Sequence, residues 1–214
     1  MKKKNLKKLL LAVCCAALLV CVSIGATVAY LTSKGTVTNT FTVGKVTITL
    51  DEAKVNLEGV EVNKDGGALG EGEKAPRVTE NAYKLLPGHE YTKDPTIHVA
   101  DGSEECWLFV EVDNGISSIE QAGNTTIAAQ MATNGWSVVD ADRGIYAYKE
   151  SVKAGDNVKV FESFKIDGEK DVAGYANAKI VVTAAAIQKD GFSTAAAAWA
   201  AAPLAIPTKG PENP

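Results

Sequence analysis

Segments of strand length, rich in Val, Ile and Thr and punctuated by Gly, Asn and Asp, recur from residue 37 to residue 187 of this chain. Alternation of this kind buries one face of an extended backbone and gives no continuous helical stripe. In VTNTFTVGKVTITL (37–50) the apolar positions are Val37, Phe41 and Val43, and the phase shifts at Gly44 to Val46, Ile48 and Leu50. A glycine at a phase change marks a bulge or a bend between two sheets. Further strands are predicted at Thr96–Val99, 106–112, 136–139, 145–149, 158–166 and 178–187. Asp142-Arg143-Gly144 reads as a hairpin turn between two of them, and Ala154-Gly155-Asp156-Asn157 as a second connection.

Helical signals are short and peripheral. Ser117-Ser118-Ile119-Glu120 has the capping-box pattern and predicts a helix that ends at Asn134-Gly135. Ser193-Thr194 is placed to cap a second helix over 195–202, stopped by Pro203. The stretch KDGGALGEGEK (64–74) reads as a mobile loop. Strands separated by turns, without regular strand–helix alternation, predict an all-β fold: a jelly-roll-like, two-sheet antiparallel sandwich with short peripheral helices.

The first residues carry a different message. Five Lys stand within the first eight positions, LLLAVCCAALLVCV runs apolar from residue 9 to residue 22, and small residues follow up to Ala29. This three-part layout is that of a secretory signal peptide over 1–29. Cleavage between Ala29 and Tyr30 puts Thr27 and Ala29 at the recognised positions, and cleavage after Ala26 is the alternative. Uncleaved, the apolar stretch 9–31 is long enough to anchor the chain in a bilayer, which takes roughly 20 residues. Val13 and Val20 precede Cys14 and Cys21, which is not a lipidation pattern. The organisation expected is thus a signal peptide (1–29), a β-sandwich domain (30–202) and a disordered Pro-rich tail (203–214).

Three of the four Cys lie in the apolar leader, so the processed chain keeps only Cys106 and closes no internal disulfide. Its stability must come from a packed core, and Cys106, at the start of CWLFVEV, reads as a buried small hydrophobe. Residues 30–214 hold 17 basic against 26 acidic residues. A body of that charge repels phosphates, which excludes a nucleic-acid partner.

Three stretches resemble a known group. AYLTSKGTVTNTFTVGKVTITLDE (29–52) resembles the start of the TasA / camelysin (CalY) family, exported proteins of Gram-positive bacteria matured by SipW-type signal peptidases. NAYKLLPGHEYTKDPTIHV (81–99) and KIVVTAAAIQKDGF (179–192), followed by AAAAWAA, are similar to its clostridial branch. The resemblance implies a secreted jelly-roll sandwich that assembles into extracellular fibres of a biofilm matrix or surface layer. Its partners would be copies of itself or other matrix proteins, with a SipW-type peptidase acting on the leader. Contact with the membrane would then be confined to the signal peptide before cleavage.

Camelysins have been classed as metallopeptidases, so a metal site has to be sought. His89-Glu90-Tyr91-Thr92-Lys93 has Lys where a zincin places its second His, and Pro87-Gly88 and Pro95 disfavour a helix there. The other His, His98, falls within a predicted strand, and a site built from His89, His98 and Glu90 or Asp94 is the remaining metal reading. There is no Gly-x-Ser-x-Gly elbow, P-loop or dinucleotide fingerprint, and the acidic runs at Asp140–Gly144 and Asp167–Asp171 lack the rest of a calcium loop. No LPxTG-like sorting signal precedes the final PTKGPENP.

No catalytic, metal or cofactor-binding residue is therefore expected, and the chain is read as a structural protein of the cell surface or matrix, not an enzyme. The alternative is a secreted camelysin-like metallopeptidase. The segment 30–43, freed at its N-terminus by cleavage, has the composition of a donated strand, with Leu31, Val37, Phe41 and Val43 as candidate anchors. The competing reading pairs it within its own sandwich.

Overall fold

The computed structural model describes residues 44–201. The expectations for the signal peptide, for the Ala29–Tyr30 cleavage site, for Leu31, Val37, Phe41 and Val43, and for the tail 203–214 lie outside the described residues.

Among the described residues the fold has ten strands, all paired antiparallel. One sheet has the order β2-β1-β4-β8, from Arg77–Val78, Ile48–Ala53, Thr96–Val99 and Asn157–Lys159. The second has the order β10-β5-β7-β6, from Ile180–Gln188, Cys106–Asn114, Ile145–Tyr148 and Trp136–Asp140. A two-stranded ribbon pairs β3 (Glu90–Thr92) with β9 (Ser163–Lys165). The chain passes repeatedly between sheets, giving the all-β sandwich its jelly-roll-like character. Two short helices, α1 (Ile127–Thr133) and α2 (Ala195–Ala201), lie on its periphery.

The sequence of β5 explains the layering. In CWLFVEVDN the even positions Cys106, Leu108 and Val110 enter the core between the sheets, beside Ile97, Val99, Val158 and Phe164. Trp107 and Phe109 point the other way, into a second cluster with Ile145, Ala147, Ile187 and the α2 residues Ala195, Ala198 and Trp199. Both faces of this strand are covered, so it reads as an unbroken apolar run. Burying side chains such as Leu108 and Phe109, both fully enclosed, contributes about 1.5–3 kcal/mol each.

α2 is fastened by its own residues. Thr194 Oγ1 accepts the Ala197 N–H at 3.1 Å, as the capping pattern requires, and the Trp199 indole N–H donates to Asp140 at 3.3 Å. The Arg143 guanidinium stacks over the same indole, 5.1 Å from its centroid. Asp140 ends β6 and Arg143 lies within the β6–β7 turn that Asp142-Arg143-Gly144 predicted, where Gly144 has φ +65°.

Two predicted elements are corrected. The helix does not open at Ser117–Glu120. Residues 117–119 form turns, Glu120 bridges to Ile166, and α1 begins at Ile127 with Thr126 as its N-cap. Its predicted end is right, at Asn134 with Gly135 beyond at φ +92°. The stretch 158–166 is likewise not one strand. β8 and β9 belong to different sheets, and the chain crosses between them at Val160 and Phe161, both fully buried. Two consecutive buried side chains cannot lie on one face of a strand, so the alternation breaks there. Residues 64–74 make tight turns, in which Asn63 Oδ1 accepts the N–H groups of Asp65 and Gly67.

Candidate functional site

β10 is the last strand of its sheet, and among the described residues its outer edge has no strand partner. The Lys189 N–H donates to Glu105 O at 2.7 Å and the Gly115 N–H to Lys179 O at 2.9 Å, so the odd residues of β10 carry the ladder to β5. In an antiparallel pair the intervening residues turn both main-chain groups away. Ile180, Val182, Ala184, Ala186 and Gln188 therefore present their N–H and C=O groups along the open edge. The side chains of Ile180, Val182, Ala184 and Ala186 pack on the inter-sheet core but are only half-buried. Over nine residues, IVVTAAAIQ contains neither a charge nor a proline. The other sheet edges are short or interrupted: β2 has two residues and β8 three, while β6 has an irregular register between Val138 and Asp140. An extended, uncharged edge is the kind that proteins ordinarily blunt.

Beside this edge the two sheets part to leave a groove of about 960 Å³. Its apolar wall includes Leu50, Leu85, Phe164, Val172, Ile180 and Val182. At one end lie Glu52, Asn81 and Lys93. Glu52 and Lys93 are buried, at 5% and 9% exposure, and Lys93 Nζ donates to Glu52 Oε2 at 2.5 Å. Asn81 Nδ2 donates to Glu52 Oε1 at 2.9 Å and to Ala53 O at 2.8 Å, while Asn81 Oδ1 accepts the Val55 N–H at 3.0 Å. Burial, reinforced by the charges of Glu52 and Asp94, pushes the neighbouring Tyr83 hydroxyl far above its usual range. Tyr83 packs edge-on against Phe164 and Tyr91, which stack on each other at 4.8 Å.

The outer face of the first sheet carries a separate polar network. Arg77 Nε donates to Asp51 at 2.7 Å and Nη1 to Asp94 at 2.6 Å. His98 Nε2 lies 2.8 Å from Asp51, and His98 Nδ1 contacts Asn157 Oδ1. Burial alone would raise the Asp51 carboxyl, but the hydrogen bonds and charges of Arg77 and His98 outweigh it and hold the carboxyl below its usual range.

The two histidines are not brought together in one array. His89 precedes β3, with its Nε2 2.9 Å from Glu58 O, while His98 lies on the outward face of β4. Of the acids read with them, Glu90 accepts from Ser163 Oγ at 2.9 Å, and Asp94 binds Arg77 and the Ala53 N–H. Among the described residues no group of three or more His, Cys, Asp or Glu is placed to hold a metal ion. Lys93, noticed in the sequence only where a second His would stand, is instead half of a buried ion pair. No spacing rule links positions 52, 81 and 93, so the sequence gives no sign of this cluster.

No family model matches the chain, and no curated protein or solved structure is significantly similar to it. Among the described residues no helix is long and apolar enough to cross a membrane.

Proposed function

We propose that this chain is an exported structural protein of the cell surface or extracellular matrix that assembles with copies of itself by strand addition. The observation that carries the reading is the uncharged, nine-residue edge of β10, open among the described residues, beside a groove with one apolar wall. Main-chain groups along such an edge supply affinity, and alternate side chains entering a groove supply register. The N-terminal segment 30–43, with Leu31, Val37, Phe41 and Val43, is the donated strand in this reading, freed by a SipW-type peptidase at Ala29–Tyr30. The export layout of residues 1–29 and the resemblance to the TasA / camelysin group support the same assignment.

The test compares residues 30–214 with the same chain lacking 30–43, by size distribution and negative-stain microscopy. Fibres or large oligomers are expected only with the segment present. Equal assembly of both would place the contact elsewhere, and monomers in both would remove the assembly reading. The metallopeptidase alternative is tested on the same sample by replacing His89 and His98 with Gln. Loss of a stoichiometric metal together with peptidase activity would favour it.

A further inference from the structure

We propose that Lys93 and Asn81 are the reactants of a self-catalysed isopeptide bond, with Glu52 as the proton-transferring group. The proposal is independent of the assembly reading. It rests on a buried lysine and a side-chain amide held on the two oxygens of one carboxylate, Nζ at 2.5 Å from Oε2 and Nδ2 at 2.9 Å from Oε1. An amine attacking an amide needs a base for the nucleophile, an acid for the departing nitrogen and a donor for the developing oxyanion. Glu52 touches both nitrogens, and the Val55 N–H already lies 3.0 Å from Asn81 Oδ1, where the oxyanion forms. Holding both groups on one carboxylate makes their reaction effectively unimolecular. Tyr83 and Phe164 line the same groove, and the burial of Glu52 and Lys93 limits the access of water that would compete as a nucleophile.

The step balances without an oxidant or a co-reactant. Glu52 takes one proton from the Lys93 ammonium, and the neutral Nζ adds to Asn81 Cγ, forming the new C–N bond. The Glu52 carboxyl gives its proton to Nδ2 and takes the second proton from the Lys93 nitrogen. The Cγ–Nδ2 bond then breaks and ammonia leaves through the groove. The products are a secondary amide between the two side chains, one ammonia and Glu52 in its protonated form. The bond ties the segment between β2 and β3 to the connection between β3 and β4, both against β1.

The experiment is mass spectrometry of the purified full chain after trypsin digestion. Cleavage at Arg77 and Lys84 isolates VTENAYK (78–84), which contains Asn81, from the peptide that follows and contains Lys93. With the bond formed, these two peptides remain joined, trypsin fails to cut at Lys93, and the joined mass is one ammonia below the sum. Lys93→Arg, Glu52→Gln and Asn81→Ala should each release both peptides at full mass. Separate wild-type peptides, with normal cleavage at Lys93, would overturn the proposal whether or not the variants fold. A lost ammonia confined to one peptide, as in a cyclised asparagine, would overturn it as well.

Discussion

Glu120 Oε1 accepts the backbone N–H of Ile127 at 3.0 Å, closing the first turn of α1 from seven residues upstream. Its other oxygen is held by Asn114 Nδ2 at 2.8 Å, so the carboxylate ties the end of β5 to the helix. Thr126 satisfies the Ala129 N–H at 3.2 Å, and the two caps together serve a helix of only seven residues.

Glu120→Ala should therefore cost about 1–2 kcal/mol in urea denaturation, the usual range for a lost cap or a charged hydrogen bond. The cost should depend on pH. Burial raises the Glu120 carboxyl, and the hydrogen bonds from Ile127 and Asn114 recover only part of that. The native state then holds this proton more tightly than the unfolded chain, so the carboxyl's contribution is fullest below the ordinary carboxylate range. It declines as pH rises through the raised value. The variant should lack that slope, and parallel slopes in both proteins would refute the assignment.

Cys106 is fully enclosed, and burial, with the charges of Glu105 and Asp156, pushes its thiol up to about 11. Thiol reagents should label it slowly in the native protein and fast in denaturant, because the thiolate is the reacting species. Cys106→Ala should destabilise by about 1–2 kcal/mol through lost burial and a small cavity. Fast native labelling would mean that β5 is not packed as described.

The elements legible in the sequence are those whose burial is local and periodic. Thr96–Val99 and the starts of β5, β6 and β7 fall where alternation or an apolar run placed them. Val46, Ile48 and Leu50 pack on the core as the alternation after Gly44 predicts, while the residues before Gly44 that would define a phase change lie outside the described ones. The errors have one cause. Glu120 does cap a helix, but across an intervening loop, and Val160-Phe161 are both buried because the chain changes sheets there. β9 falls within the predicted strand 158–166, but its partner β3 has no strand signal, because Tyr91 sits among polar neighbours and stacks on Phe164, far along the chain. The cluster of Glu52, Asn81 and Lys93 was invisible for the same reason, since three distant segments bring it together.

Arg77 bridges Asp51 and Asp94 and also donates to both backbone carbonyls, at 2.8 and 3.2 Å. Its guanidinium is one-third exposed, so solvent screening limits the loss in Arg77→Ala to about 1–2 kcal/mol at neutral pH. The Asp51 carboxyl is held below its ordinary value, so its contribution is fully present above the ordinary carboxylate pKa. It is lost as pH falls through the depressed value. Urea midpoints of the wild type and the variant should converge in that acid window, and a gap that stays constant would show that the pairing carries no stability.

The edge of β10 offers a sharper test of assembly than deletion does. The Ala184 N–H points away from β5, so Ala184→Pro removes an outward donor and sets a ring against any added strand while sparing the ladder. Residue 184 is half-buried on an edge strand, where the cost of proline's fixed φ is small enough to leave the monomer folded with unchanged β content by circular dichroism. Fibres should vanish or form far more slowly. Phe41→Asp addresses the other side of the proposed contact by setting a charge against the apolar wall of the groove, at a cost of several kcal/mol where the carboxylate is left unpaired. A one-residue slip would turn Val37, Phe41 and Val43 outward together, so slippage gives no relief. If the two variants abolish fibres without unfolding the monomer, a mixture should show whether one copy gives the strand and another accepts it. Phe41→Asp monomers still have an intact edge, and Ala184→Pro monomers an intact donor, so together they should form closed pairs but no fibres. Two variants that remain monomeric when mixed would break the donor–acceptor pairing, and unfolding by Phe41→Asp alone would return segment 30–43 to its own sandwich.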